Sequence, residues 1–215
     1  MSRIFLIPGL AANSNVYRNI KLSSHEIIYI NWIDPKPQDT LTTYAQRIID
    51  HYDIDENSIV IGNSLGGILA VEIAKKVAVK KVIITSTIKS HTEAPWYFYV
   101  FRKIPVYYII PGKLYLTLGF WAKKIFYRLS EEDAKVYHEM FHSTSTKFLK
   151  WALKAILQWR NTDVSANLHH ITGNNDIVFS YKRIKDAVII DKGDHAMIYN
   201  RPDEMNKLIN EIINK

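Results

Sequence analysis

The sequence predicts an α/β fold, with a doubly wound, mostly parallel sheet of about six strands and a helical insertion. Three observations predict it. Short apolar runs bounded by turn residues recur near residues 4, 27, 59, 82, 169 and 188. Segments with helical spacing lie between most of them, as the crossovers between parallel strands require. At one junction, Ile59-Val60-Ile61 runs through Gly62-Asn63-Ser64-Leu65-Gly66 into Ile68-Leu69-Ala70-Val71, so a strand passes directly into a helix.

The elements follow in order. Ile4-Phe5-Leu6-Ile7 is a buried strand; with Arg3 ahead of it the segment loosely imitates a signal peptide, but Pro8-Gly9 interrupts the apolar run. Glu26-Ile27-Ile28-Tyr29-Ile30 is the second strand, and Pro35-Lys36-Pro37 breaks the chain before a helix. From Thr40 the apolar positions Leu41, Tyr44, Ala45, Ile48, Ile49 and Tyr52 keep helical spacing. After the strand–helix junction, Lys81-Val82-Ile83-Ile84-Thr85 is the fourth strand. Ala166 to Thr172 is the fifth and Ala187 to Ile190 the sixth. The last helix starts at Pro202, where a missing N–H costs nothing, with Asp203 and Glu204 in its electropositive first turn. Its apolar stripe is Met205, Leu208, Ile209, Ile212 and Ile213.

The junction at Ser64 carries chemistry. A serine on a sharp turn between a strand and a helix holds its hydroxyl out at the carboxyl edge of the sheet. The flanking glycines let the two backbones pass closely, and the helix start aims unpaired N–H groups at the same spot. A serine hydroxyl needs a base to take its proton and a third group to orient that base. Asp176, in the turn Gly173-Asn174-Asn175-Asp176, and His195, after Asp191-Lys192-Gly193-Asp194, each follow a strand's carboxyl end. That is the edge where open α/β sheets hold their ligands. The competing aspartates fit less well: Asp163 precedes the fifth strand, and Asp191 and Asp194 are too close to His195 in sequence to face it readily. His169 and His170 lie inside a strand.

With these residues in place, the chain resembles the α/β-hydrolase superfamily over nearly its whole length. The order nucleophile, acid, histidine matches Ser64, Asp176, His195. Ile4 to Leu10 resembles the family's oxyanion strand and loop, with Pro8-Gly9 where His-Gly is usual. The resemblance implies an oxyanion hole from the backbone N–H groups of Leu10 and Leu65. Asn63 replaces a frequent histidine, and Gly193-Asp194-His195 a common Gly-Gly-His, without touching a triad atom. Many members carry two strands ahead of the oxyanion strand, so a reduced sheet is implied. The implied activity is a serine hydrolase on a small-molecule acyl substrate, cleaving an ester-like bond through an acyl-enzyme, with no cofactor. A thioesterase or acyltransferase on the same triad, or a ligand-binding member without catalysis, is the alternative. A serine nucleophile separates the chain from the dehalogenase and epoxide-hydrolase branches.

Composition narrows the classes. With 215 residues and 47% hydrophobic the chain can bury one sizeable core, so a single domain over residues 1–215 is expected. There is no cysteine, which excludes disulfides and thiolate metal sites and fits a cytoplasmic location. The net charge of +7 is spread in runs no longer than two, with no nucleic-acid-binding motif, so no nucleic-acid partner is expected.

Residues 88–145 interrupt the alternation, where the resembling family inserts a cap. The stretch holds Trp96 to Phe101, Tyr107 to Ile110 and Leu118 to Trp121, broken by Pro105, Pro111 and several lysines. No run approaches the ~20 uncharged residues that span a bilayer. The aromatics are either the packing face of a cap or, at Trp96, Phe98 and Phe101, a substrate pocket; contact with a lipid surface is a further option. Within the same stretch His138-Glu139-Met140-Phe141-His142 matches a zinc-protease pattern. Its extended form would place Gly where Ser145 stands and His where Phe148 stands, so no metal is expected.

Overall fold

A computed structural model describes residues 2–22, 25–104 and 131–215. Six strands form one sheet: β1 (Arg3–Ile7), β2 (Glu26–Tyr29), β3 (Ile59–Asn63), β4 (Lys81–Thr85), β5 (Leu168–Gly173) and β6 (Val188–Ile190). Their order is β2-β1-β3-β4-β5-β6, and every pairing is parallel. The chain starts in the middle of the sheet, winds to one edge, then returns past β1 to the other. Side chains alternate across the strands and divide the core in two. Phe5, Ile7, Val60, Val82 and Ile84 face one layer, whereas Ile4, Leu6, Ile61, Ile83 and Ile171 face the other.

The first layer holds α1 (Leu41–Tyr52), α2 (Leu65–Ala74), α3 (Trp96–Lys103) and α5 (Thr146–Gln158). Helix α1 is stopped at both ends by local chemistry. Thr40 and Thr43 form a reciprocal capping box, and Asp53 closes the helix in the left-handed conformation at φ 52°. Helix α2 is buried all round, from Leu65 to Ile73, because it lies between α1 and the central strands. The second layer holds α4 (Glu131–His142), α6 (Met197–Asn200) and α7 (Pro202–Asn214). Helix α7 begins at Pro202 and buries Met205, Ile209, Ile212 and Ile213.

The two ends of the segment between β4 and β5 are joined at Asn161. Its side-chain N–H groups donate to the Lys89 and Asp163 carbonyls, at 3.0 and 2.7 Å. Its own carbonyl accepts from the His91 N–H at 2.9 Å and the Ser90 hydroxyl at 3.0 Å. Helices α3 and α5 meet where Arg102 donates to the Leu157 carbonyl in the last turn of α5, and Arg160 donates to the Trp159 carbonyl just past it. Cations at a helix C-terminus satisfy orphan carbonyls and suit the dipole there.

Strand and helix boundaries follow the sequence pattern to within two residues. The fifth strand starts at Leu168 and not at Ala166, because the chain turns first: the Leu168 N–H donates to the Ser165 carbonyl at 3.2 Å. The runs at 107–110 and 118–121 lie outside the described residues. Among the described residues, no helix is long and apolar enough to cross a membrane.

The close backbone approach of β1 and α2 gives a stability test. A Cβ at Gly66 would stand 2.2 Å from the Ile7 carbonyl oxygen. Neither backbone can move without displacing β1 or α2. Gly66→Ala is therefore expected to cost about 2 kcal/mol or more, a fall of ~4–8 °C in Tm for a chain of this size. Thermal unfolding monitored by circular dichroism measures it, and an unchanged Tm would contradict the packing described.

Candidate active site

Ser64 sits between β3 and α2 with φ 54° and ψ −119°, a conformation that L residues rarely adopt. Its neighbours hold it there. The Ser64 N–H donates to the Thr85 carbonyl at 2.9 Å, and its own carbonyl accepts from the Thr87 hydroxyl at 2.7 Å. Asn63, also buried, accepts from the Thr85 hydroxyl at 2.9 Å. The end of β4 thus grips the turn from one side, and Gly9 from the loop after β1 closes the other. A Cβ on Gly9 would lie 3.1 Å from that of Ser64.

Asp176 and His195 come from the loops after β5 and β6. These loops are tied together where they leave the sheet. Asn174 N–H donates to the Ile190 carbonyl at 3.1 Å, and Asn175 N–H to the Gly193 carbonyl at 2.9 Å. The Asn174 side chain accepts from Lys192 N–H at 2.6 Å and donates to Asp191 at 2.9 Å. A Cβ on Gly173 would stand 2.0 Å from the Gly193 carbonyl oxygen, so only glycine allows this approach.

The result is a continuous row. His195 Nδ1 lies 2.9 Å from Asp176 Oδ2, and His195 Nε2 lies 3.0 Å from Ser64 Oγ. The other carboxylate oxygen, Asp176 Oδ1, accepts from Val178 N–H at 2.8 Å and Phe179 N–H at 3.0 Å. Asp176 and His195 are both buried. With both its oxygens engaged, Asp176 has little freedom to rotate. Phe179 adds an apolar wall, its ring centroid 5.7 Å from that of His195.

The other aspartates have different partners. Asp191 holds Asn174. Asp194 accepts from Ala196 N–H and the Asn200 side chain, and burial raises its carboxyl above the ordinary range. Asp163 precedes the amino end of β5. His170 is buried within β5, where burial and the nearby Lys89 ammonium push its pKa down to about 3. His138, Glu139 and His142 are exposed on α4, their two imidazole centroids 4.1 Å apart. Among the described residues, no three His, Cys, Asp or Glu side chains form a group that could hold a metal.

A cavity of about 20 Å³ opens at Ser64, lined by Gly9, Leu10, Ala12, Val16, Asn63, Tyr137 and His195. Leu10 is thus at the site, and Leu65 is the first residue of α2 beside it. Trp96, Phe98 and Phe101 do not line this cavity. Trp96 is 74% and Phe101 40% exposed, whereas Phe98 is buried against Phe179, ring centroids 6.1 Å apart. The aromatic at the cavity is Tyr137 of α4, which sequence reasoning missed. A signal existed: Tyr137, Met140 and Phe141 are an i, i+3, i+4 apolar stripe on the face opposite His138 and His142.

A reduced parallel sheet, with a strained serine at a strand–helix turn facing a histidine and an aspartate on the same edge, defines an α/β serine-site architecture. The sequence profile of the alpha/beta hydrolase family matches residues 4–208, and the chain belongs to that family. No curated protein matches the sequence. Among solved structures the chain is similar to MenH from S. aureus, at 18% identity and TM-score 0.75, over 99% of this chain and 93% of that one. It is also similar to a bromoperoxidase from Bacillus anthracis at 13% identity, TM-score 0.74, covering 100% and 92%. An esterase from Exiguobacterium antarcticum matches at 14% identity, TM-score 0.74, covering 100% and 92%. At these identities the likeness is one of fold.

His170 makes the stability pH-dependent in a defined direction. Its folded pKa is about 3, against an ordinary value near 6.5 in the unfolded chain. Above both values the imidazole is neutral in either state and contributes no linkage. As pH falls from about 6.5 toward 3, only the unfolded chain takes up the proton, so stability declines by at most about 1.4 kcal/mol per pH unit. Urea unfolding between pH 7 and 4 should show a shallower decline for His170→Leu than for the wild type. Parallel pH profiles for the two proteins would refute the assignment.

Proposed function

We propose that the protein is a serine hydrolase that cleaves ester-like carbonyl substrates through Ser64, His195 and Asp176. The observation that carries this reading is the hydrogen-bonded row, with 3.0 Å from Ser64 Oγ to His195 Nε2 and 2.9 Å from His195 Nδ1 to Asp176 Oδ2. In that geometry His195 Nε2 takes the Ser64 proton as Oγ attacks the carbonyl carbon. Asp176, fixed by the Val178 and Phe179 N–H groups, accepts from Nδ1–H and so holds Nε2 free as the base.

The tetrahedral oxyanion forms beside the Leu10 and Leu65 N–H groups. Leu65 is the first residue of α2, and the first N–H groups of a helix have no partner within it. Each such donor is worth ~3 kcal/mol of transition-state stabilisation in comparable sites. His195 then returns its proton to the leaving oxygen, giving an acyl-Ser64 and an alcohol. Water, deprotonated by the same imidazole, attacks the acyl carbon and releases the acid.

The helices between β4 and β5 serve as a cap in this reading. Its support is Tyr137 of α4, which lines the cavity together with Leu10 and Val16. Membership of the alpha/beta hydrolase family and a fold shared with an esterase agree with the reaction class.

A fluorophosphonate probe should label one residue, located at Ser64 by mass spectrometry, and Ser64→Ala should abolish both labelling and ester turnover. Asp176→Asn should lower kcat by roughly 10³–10⁴ with KM little changed, because the amide holds the wrong imidazole tautomer. A panel of acyl esters and thioesters of graded chain length decides between readings. Preference for thioesters would make it a thioesterase, and acyl transfer to an added alcohol in place of water an acyltransferase. Ligand binding without labelling would leave a non-catalytic binding protein and end the hydrolase reading.

A further inference from the structure

The row of groups at Ser64 extends beyond Asp176 into the segment between β4 and β5. Tyr97, in the first turn of α3, donates its hydroxyl to the Val178 carbonyl at 2.7 Å. Burial, with Asp176 adding to it, raises the pKa of that phenol above its ordinary value, so the hydroxyl keeps its proton and remains a donor. The Val178 carbonyl shares a peptide unit with Phe179 N–H, which donates to Asp176 Oδ1 at 3.0 Å. Tyr97 therefore orients and polarises the same peptide group that holds the acid. The next residue of α3 makes a second contact with this loop. Phe98 packs its ring on Phe179, centroids 6.1 Å apart, and Phe179 packs on His195 at 5.7 Å.

We propose that Tyr97 is a positioning residue for Asp176, through which α3 sets the alignment of the acid with His195. The inference rests on the hydrolase reading. Five hydrogen-bonding groups lie in series: the Tyr97 hydroxyl, the 178–179 peptide, the Asp176 carboxylate, the His195 imidazole and the Ser64 hydroxyl. Hydrogen bonds linked in this way polarise one another, and a small rotation at one link misaligns the next. Upstream, Asn174 and Asn175 tie the loop to the loop after β6, but Ile177 is exposed, and the Val178 carbonyl is held by the Tyr97 hydroxyl. Phe98 and Phe179 hold the loop laterally, whereas the Tyr97 hydroxyl sets the peptide's orientation.

Tyr97→Phe removes the hydroxyl and keeps the ring, so the fold should survive, as a circular dichroism melt would verify. The rate of Ser64 labelling by a fluorophosphonate and kcat on a short ester should each fall about tenfold, with KM changed less than twofold. The decisive arm is a double-mutant cycle with Asp176→Ala. Without the carboxylate there is nothing left to position, so adding Tyr97→Phe should lower the residual labelling rate by less than twofold. An equal loss in both backgrounds would mean that Tyr97 acts only on general stability, and would overturn the proposal. So would an unchanged labelling rate in Tyr97→Phe. If wild-type protein is not labelled at Ser64, the hydrolase reading falls, and this inference falls with it.

Discussion

Three backbones meet at Ser64 with no space for a side chain between them, and the rest of the site depends on that meeting. Gly62 and Gly66 face each other across the turn: a Cβ on Gly62 would lie 2.2 Å from the Gly66 carbonyl oxygen. Gly66 in turn lies against Ile7, and Gly9 against Ser64. Such closeness forces the turn into one shape and places Ser64 at φ 54° and ψ −119°. A non-glycine residue in a sparsely populated region costs of order 1–3 kcal/mol. Burial offsets this cost. Helix α2 buries nine consecutive residues, Leu65 to Ile73, and β3 buries all five of its own, so the strained turn is held by apolar packing on both sides.

The same device recurs at the other end of the sheet edge. Gly173 and Gly193 let the loops after β5 and β6 touch backbone to backbone, and Asn174 laces them with its side chain. Two residues nineteen apart in sequence are thereby fixed at 2.9 Å without any contribution from the substrate side. Preorganisation of this kind is what the proposed proton transfer along the row requires, since loose geometry loses alignment before it loses contact. Rigid backbone approach sets the positions, and side-chain hydrogen bonds set only the final orientation.

How much of this could be read in the sequence follows from which interactions are local. The parallel sheet and its order of elements were legible, because short apolar runs bounded by turns and period-3.6 patterns report burial that each segment needs on its own. The turn at Ser64 was legible because glycines bracket it between a strand and a helix. Asp176 and His195 were legible as candidates from their place after strands, though not their spacing, which depends on Gly173 meeting Gly193. The aromatic run Trp96 to Phe101 was not legible. Six consecutive apolar residues have no period, so nothing in the run says which side chains face inward. Docking of α3 on α5 and on the loop after β5 decides it: Phe98 is buried, Tyr97 is half-buried, and Trp96 and Tyr99 point to solvent. Tyr137 has a period, since Tyr137, Met140 and Phe141 form an apolar stripe, but the stripe alone does not say that its first residue meets the cavity at Ser64.

Docking of this segment is itself fixed from the serine helix. Glu72 of α2 is a buried carboxylate, an arrangement that is costly unless each oxygen is satisfied. It accepts from Trp159 Nε1 at 2.9 Å, Lys75 Nζ at 3.0 Å and the Thr42 hydroxyl at 2.7 Å. Lys75 continues the network to the Asn161 side chain at 2.9 Å, and Asn161 ties together both ends of the inserted segment. The helix that begins at Ser64 therefore also anchors the root of the helices that pack against the loop of Asp176. A partly satisfied buried network is unfavourable as a whole, so its members form and break together. Through Glu72 and Asn161 the segment between β4 and β5 has a fixed root, and through α3 it has a fixed contact at Asp176. Those two attachments leave little latitude for α3 to drift relative to the sheet edge.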